Sequence, residues 1–370
     1  MARDGAKDKP RARMSRTPSR AKARSKAPAE APRVSVLVVA YQSGEHLTRC
    51  LAALEAQSFA DHEVILLDNA STDGAPQAAL ATHPRVRFIA AGDNLGFAAG
   101  MNRAAQEARG EWLALINPDA DANPDWLARL MAATEAFPQV RSFTSRQLLA
   151  EDPSRLDGLG DVMSISGFPW RGGYRHKDPG DTAPGWVFSA CGGAMMIARP
   201  LFEALGGFDE RLFCYGEDVD LGYRLRLIGE PTLLVPDAVV RHHGGTASGG
   251  PRSDFAVFHG TRNRLWVYVK DTPPVLFWLT LPLHVLATVT LFARHATRGE
   301  LAAPWKGLMA GLRGLPHAWR WRREAQGSRE VGSWEIARAM AWNPLDLLLR
   351  RAVVGRLGRD VSDQGAPGSS

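Results

Sequence analysis

Three short groups of residues have the types and spacing for chemistry on a charged, oxygen-rich substrate. The first is Tyr215-Gly216-Glu217-Asp218-Val219-Asp220, which opens a stretch readable as a short amphipathic helix from about Glu217 to Ile228. Gly229 sits just past its last turn, and Pro231 cannot continue it. Leu221, Leu225 and Ile228 recur at helical spacing, and Asp218 lies three residues before Leu221, on that inward side at the helix mouth. Asp220 and Arg224 are spaced to pair on another face. A carboxylate at a helix N-terminus stays ionised and suits a general base; helix capping and a solvated charge explain the same pattern. The second group, Asn117-Pro118-Asp119-Ala120-Asp121, offers hard oxygen ligands for Mg²⁺ or Mn²⁺, or else an Asx turn and a cap before Pro124. The third is Arg241-His242-His243-Gly244-Gly245. Vicinal side chains on a strand point to opposite sides, so at most one of these histidines reaches a metal.

The elements that must position these groups alternate. Val34 to Ala40 is a β-branched apolar run, as a buried parallel strand requires, and a helix follows from Glu45 to Gln57. Glu63 to Asp68 is a second strand ending in a carboxylate, and Val86 to Ile89 a third. A helix over Ala98–Ala108 leads into a fourth strand, Trp112 to Ile116, which delivers the Asn117–Asp121 group. Strands alternating with helices predict a mostly parallel α/β sheet with its ligand beyond the carboxyl ends of the strands, where the acids collect. Further strands are expected at Trp186–Phe188 with Cys191–Ile197, at Thr232–Val235 and at Ala238–Val240. Residues 140–185 are the least legible, and Gly167 to Tyr174 reads as a mobile aromatic loop: an acceptor flap or a plain insertion.

Missing motifs narrow the ligand. The turn after the first strand, Tyr41-Gln42-Ser43-Gly44-Glu45, has one glycine, not the GxGxxG of a dinucleotide site, and there is no P-loop. Phosphates are therefore not cradled by backbone alone, and a divalent ion is the expected positive partner. Cys50, Cys191 and Cys214 are too few and too scattered for a disulfide framework or zinc site. The net charge of +6 hides an uneven spread: residues 1–33 carry +8, residues 294–370 carry +6, and the body between carries −8. The Arg/Lys/Ala/Pro-rich residues 1–33 lack apolar anchors and are expected to be a disordered basic tail, with no secretory signal and no motif for specific nucleic-acid recognition.

Taken in order, Val38-Val39-Ala40-Tyr41, Leu67-Asp68-Asn69-Ala70-Ser71-Thr72-Asp73-Gly74, Asn94-Leu95-Gly96-Phe97-Ala98-Ala99-Gly100-Met101-Asn102, Asn117-Pro118-Asp119, Gly206-Gly207-Phe208-Asp209-Glu210, Tyr215 to Asp220 and the His242 region form an ordered set. It resembles the inverting family 2 glycosyltransferases of GT-A fold, in the bacterial rhamnosyltransferase-like branch, over about residues 34–270. The resemblance implies that Tyr41 and Asp68 hold the nucleotide base and ribose, with Asn69, Asn94, Gly96, Phe97, Asn102 and Asn117 also on the donor side. It implies Asp119 as the main metal carboxylate with Asp121 nearby, Asp218 as the base with Glu217 as its neighbour, and His242 (or His243) serving the metal or diphosphate. Two departures stand out: Gln42 where the family usually has Asn, and neutral Asn117 in place of an acid, for which Asp121 would compensate.

The chemistry then expected is displacement of a nucleoside diphosphate from a sugar carbon. A divalent ion offsets the charge left on phosphate, and one carboxylate takes the proton of the attacking hydroxyl. A single displacement inverts the anomeric carbon. The implied donor is a nucleotide-diphospho-sugar, dTDP-rhamnose for this branch, and the acceptor a lipid-linked or cell-envelope glycan. The rival readings are a non-catalytic nucleotide-sugar-binding scaffold and a sugar nucleotidyltransferase, which would need a basic Gly-rich loop near the first strand.

Val275 to Ala293 carries no charged residue, is nearly long enough to cross a bilayer, and is interrupted by Pro282. Trp305 to Arg323 mixes Trp, Leu and Met with Lys and Arg, a basic amphipathic composition. The thirteen Lys/Arg of residues 294–370 favour the cytoplasmic side, and the catalytic body is expected there too because nucleotide-sugars are made in the cytoplasm. The expectation is a peripheral or re-entrant element on the cytoplasmic face of the bacterial inner membrane, bent at Pro282; a helix pair buried on the enzyme core is the alternative. The expected division is a basic tail at 1–33, a catalytic body at 34–270, membrane-associated helices at 271–325, and a helical segment with a disordered tail at 326–370.

Overall fold

The computed structural model describes residues 31–245, 249–250 and 252–357. All but the last three residues of the expected basic tail, and the final thirteen residues of the chain, lie outside them. In chain order the elements run β1 (Val34–Ala40), α1 (Gly44–Glu55), β2 (His62–Asp68), α2 (Ala75–Thr82), β3 (Arg87–Ala90), α3 (Gly96–Gln106), β4 (Trp112–Ile116), β5 (Ala120–Ala122) and α4 (Trp126–Ala136). Then come β6 (Ser142–Leu149), β7 (Leu156–Gly158), β8 (Asp161–Met163), β9 (Pro169–Arg171), β10 (Gly185–Val187), β11 (Ala194–Ala198), α5 (Arg199–Ala204), α6 (Glu217–Leu227) and β12 (Thr232–His242). The chain finishes with α7 (Asp254–Asp271), α8 (Pro274–Ala296), α9 (Ala302–Arg313), α10 (Leu315–Gly327), α11 (Ser333–Ala339), α12 (Pro344–Leu349) and β13 (Gly355–Arg356).

The main sheet has the order β13-β10-β12-β6-β11-β4-β1-β2-β3. β1, β2, β3 and β4 are parallel, and β1 and β4, the central pair, are apolar runs buried at every position. β11 is antiparallel between β4 and β6, so the sheet is mixed in its other half. Two expected strands, Thr232–Val235 and Ala238–Val240, are one strand with an irregularity between Val235 and Val239, where Pro236 cannot donate to the ladder. Conversely, the single strand expected from Trp186 to Ile197 is two: β10 lies beside β12 near the sheet edge, and β11 sits at the centre.

The stretch Gly167–Tyr174 is no exposed flap. It holds β9, which pairs with β8; Phe168 and Trp170 are buried, and the Trp170 indole donates to the Arg351 carbonyl at 2.9 Å. β9 also carries Arg171.

A buried ionic seam fixes α6 against its neighbours. Lys270, at the end of α7, is buried; its ammonium lies 2.6 Å from Asp209 and also contacts Asp220, with Asp271 at 3.9 Å. Asp220 also takes Arg224 Nε at 2.8 Å, the pair the sequence spacing anticipated, although Asp220 has no exposed surface. The same guanidinium donates to the Leu205 and Gly207 carbonyls. Gly207 has φ +71°, and a Cβ there would fall 2.3 Å from Asn102 Oδ1, so only glycine lets the Gly206–Glu210 loop close on α3.

The C-terminal helices are built onto this body. A Cβ on Gly307 would strike the Phe258 carbonyl, which shows how closely α9 approaches α7, and the Trp266 indole of α7 donates to the Gly311 carbonyl. α8 runs unbroken through Pro282, which overturns the expected hairpin bend: no turn occurs there. Its inner face (Leu276, Phe277, Thr280, His284) is buried, and His284 Nδ1 lies 2.9 Å from the Ser166 carbonyl oxygen. Its outer face exposes Val275, Trp278, Leu279, Leu283, Leu286 and Val289. The helix is long and apolar enough to cross a membrane, with a mean hydropathy of 1.9 over its most apolar window.

Candidate active site

A cavity of about 560 Å³ opens at the carboxyl ends of β1, β2 and β4 and the mouth of α6. On one wall stand Tyr41, Asn69, Asn94, Gly96 and Phe97; on another Asn117, Asp119 and His242; on a third Glu217 and Asp218. The sheet places the first set because β1 and β2 end level, Ala40 opposite Asp68, so the turns after them face the same space.

The first wall is a lattice of side-chain amides. Asn69 donates to Asn94 Oδ1 and the Gly96 carbonyl, both at 3.0 Å, and its own Oδ1 accepts from Leu95 N–H at 2.9 Å. Gln42, at the departure from the family pattern, has φ +48°, a conformation that suits Asn better. Its longer side chain reaches Thr72, donating to the hydroxyl at 2.9 Å and accepting from the backbone N–H at 2.9 Å. The substitution therefore pins the turn after β1 to the turn after β2. Asp68 is buried, accepts from Ser71 N–H at 2.9 Å, and orders that turn from beneath rather than lining the cavity.

On the second wall His242 Nε2 lies 3.2 Å from Asp119 Oδ1 and its Nδ1 lies 2.8 Å from Asp157 Oδ2. Burial alone would lower the imidazole pKa, but Asp119 and Asp157 outweigh it and raise His242 to about 9. The Asn117 amide nitrogen is 3.2 Å from the same Nε2. Asp121 is engaged elsewhere: it pairs with Arg49 and lies 3.3 Å from His243 Nε2, and neither Asp121 nor His243 lines the cavity. The vicinal histidines thus do face opposite sides, and it is His242 that enters. Asn102 also departs from expectation. Its amide donates to the Phe208 carbonyl and Glu210 and accepts from Phe208 N–H, so it ties α3 to the Gly206–Glu210 loop instead of facing a ligand.

On the third wall Asp218 Oδ2 accepts from Gly192 N–H at 3.0 Å and Oδ1 from Val219 N–H at 2.8 Å. Gly192 and Gly193 let the backbone come close: a Cβ on Gly192 would fall 3.3 Å from the Asp218 carboxylate. Glu217 is buried beside it with Oε2 unpartnered among the described residues. Burial first, then the Asp218 charge, lift the Glu217 carboxyl to about 8. Glu217 is therefore neutral at pH 7.

The stability consequence has a definite sign. The folded state holds a proton on Glu217 that an unfolded carboxyl, with pKa near 4.3, gives up, so this group's effect turns against folding as pH rises from about 4.5 through 8. Wild-type Tm should fall more between pH 5.5 and 8.5 than that of Glu217→Gln, by scanning fluorimetry. Parallel curves for the two proteins would refute the shift.

Several residues that shape this site gave no signal in the sequence. The loop Phe213–Gly216 has φ +65° at Phe213 and +68° at Tyr215, and Asn263 of α7 clamps it, its amide donating to the Leu212, Cys214 and Tyr215 carbonyls at 2.7–2.9 Å. Asp157 backs His242, Asp161 sits within 4.8 Å of Asp218 and Cys191, and Arg171 enters the cavity from β9. All three belong to the stretch without legible periodicity.

The family profile described as glycosyl transferase family 2 matches residues 35–206. The N-acetylglucosaminyl-diphospho-decaprenol L-rhamnosyltransferase of Mycobacterium tuberculosis is 33% identical over 256 residues, covering 60% of this chain and 80% of that protein. The chain belongs to glycosyltransferase family 2. The O-antigen biosynthesis protein RfbC of Myxococcus xanthus is 29% identical over 289 residues, 74% of this chain but 22% of the relative. Among solved structures, GalNAc-T7 with UDP, GalNAc and Mn²⁺ aligns with a TM-score of 0.54 at 17% identity, over 80% of this chain and 56% of that one. At that identity the likeness concerns the fold, and the sheet is of the GT-A type. As a family 2 glycosyltransferase the chain is an enzyme, and its cavity lies where an α/β sheet places its ligand.

Proposed function

We propose that this glycosyltransferase moves a sugar, rhamnose in the reading we favour, from a nucleotide-diphospho-sugar to a hydroxyl of a lipid-linked glycan, with inversion. The supporting observation is one cavity that offers an ionisable carboxylate, Asp218, on one wall and the Asp119–His242 pair on another. Asp218, oriented by Gly192 and Val219 N–H, accepts the proton of the attacking hydroxyl. Tyr41, Asn69, Asn94, Gly96 and Phe97 form the wall for the nucleoside, with Asp68 beneath it. Attack and departure on opposite sides of the sugar invert the anomeric carbon.

The donor set of Asp119 and His242 fits a divalent ion. His242 Nδ1 is satisfied by Asp157, which leaves Nε2 and Asp119 Oδ1 turned toward each other, the carboxylate–histidine support typical of metal ligands. Asn117, with its amide turned over, would present an oxygen at the same position. A bound Mg²⁺ or Mn²⁺ would offset the charge that develops on the leaving diphosphate. Asp121, held by Arg49 and His243, is left as an outer residue.

The acceptor side supports a peripheral site on the cytoplasmic membrane face. α8 keeps one face on the body and turns a continuous apolar face outward, and Trp319 of α10, 6.4 Å from Trp278, extends that face beside exposed Arg320 and Arg323. A helix gripped along one side is suited to lie in the interface rather than span it. The body 34–270 is thus the catalytic part and 271–325 the lipid-facing part, while β13 returns to complete the sheet.

The test is turnover in detergent with dTDP-rhamnose and other sugar nucleotides and N-acetylglucosaminyl-diphospho-polyprenol as acceptor, followed by mass spectrometry. We expect one donor to be used, and both EDTA and Asp119→Ala to abolish donor-dependent product. Full turnover in EDTA would remove the metal from the mechanism, and no transfer with any donor would overturn the function.

A further inference from the structure

We propose that Arg171 is a substrate-contacting residue of this cavity that binds a phosphate oxygen of a diphosphate-bearing substrate. The inference rests on the function proposed above, because only a nucleotide-sugar donor or a lipid-diphosphate acceptor brings that group. Among the described residues that line the cavity, Arg171 is the one lysine or arginine, against the acids Asp119, Glu217 and Asp218. A substrate with a diphosphate meets a wall of carboxylates, and unscreened repulsion of that kind would oppose its entry.

The placement of Arg171 is constructed rather than incidental. Its strand, β9, is locked to β8 with Arg171 opposite Asp161. Its stem lies over Gly158, where a Cβ would fall 2.5 Å from Arg171 Cγ and 2.9 Å from Cδ. Nη1 donates to Asp157 Oδ2, the oxygen that also holds His242 Nδ1. Asp157 thereby fixes the guanidinium beside the Asp119–His242 pair. A guanidinium has five N–H donors, and among the described residues Arg171 spends one of them on this bond. The side chain keeps 31% of its surface exposed although its strand is built into the body. Unspent donors on a fixed, planar cation facing a substrate cavity match the two-pronged geometry of phosphate oxygens.

The diphosphate has two sources, the leaving nucleoside diphosphate and the lipid-linked acceptor, and the test separates them. Full-length wild type, Arg171→Gln and Arg171→Lys are titrated in excess EDTA with UDP, dTDP and GDP and with the matching nucleosides. The acceptor arm compares KM for N-acetylglucosaminyl-diphospho-farnesol with KM for octyl N-acetylglucosaminide. If the phosphate is the donor's, Arg171→Gln should cut the diphosphate-to-nucleoside affinity ratio about tenfold or more, with partial recovery in Arg171→Lys. If it is the acceptor's, that ratio stays put and only the KM for the diphosphate acceptor rises, by a similar factor.

The proposal is overturned if neither comparison moves. It is equally overturned if charged and uncharged probes weaken together, since that marks collapse through Asp157 and His242. A wild-type chain that binds diphosphates yet transfers no sugar would sink the proposed function while leaving the affinity ratio to judge Arg171. A wild-type chain that binds no diphosphate even with Mn²⁺ in place of EDTA would overturn both.

Discussion

Asp218→Asn should lower kcat by about 10²–10⁴-fold, the usual contribution of a positioned general base, while leaving donor affinity within about twofold of wild type. The asparagine side chain has the same shape, and its carbonyl oxygen can still accept one of the two backbone N–H bonds from Gly192 and Val219 that orient the carboxylate. It cannot take a proton from the attacking hydroxyl. Steady-state transfer and donor titration on the same preparation check this. Wild-type kcat in the variant would remove Asp218 from the base role. A matched loss of donor binding would instead mean that the carboxylate holds the site together.

Lys270→Met should destabilise the protein by about 3–5 kcal/mol, because it removes the cation and leaves buried carboxylates unpaired. Asp209 and Asp220 both touch the ammonium, and Asp220 is fully buried. Burial opposes the ionised form of Asp209, yet Arg211 and Lys270 hold its pKa well below the usual carboxylate range, so it remains an anion that needs its partner. For a body of this size Tm should fall by roughly 10 °C. Since the seam also seats α6, kcat should fall with it. Adding Asp220→Asn to Lys270→Met should recover part of the loss. An unchanged Tm in the single variant would show that Arg224 and Arg211 carry the seam without Lys270.

The half of the fold that was legible is the half in which local pattern and environment coincide. β1 and β4 are buried on both faces, so their sequences had to be continuous apolar runs, and the turns after β1, β2 and β4 had to carry the polar residues facing the cavity. Residues 140–185 were the least legible because, after β6, their strands β7, β8 and β9 are three residues long, too short for a period to show. Trp170 looked like a loop aromatic because its partner, the Arg351 carbonyl, lies far along the chain. Pro282 looked like a bend; the helix keeps its course because packing of Phe277, Thr280 and His284 on the body holds both sides of the proline.

By itself the sequence determined the alternating α/β order, the Asp218 helix mouth, the acids after β4, and the pairing of Asp220 with Arg224. Each is a property of spacing within one element or one turn. Only the tertiary structure decided which of the two histidines enters the cavity, that Asp121 is drawn off by Arg49 and Asn102 by the Gly206–Glu210 loop, and that Glu217 is neutral. It alone brought Asp157, Arg171 and Asn263 to the site and Lys270 to the seam that seats α6. The reason is physical: a side chain's charge state and partners depend on desolvation and on groups within a few ångströms, and those neighbours come from segments that no local period connects.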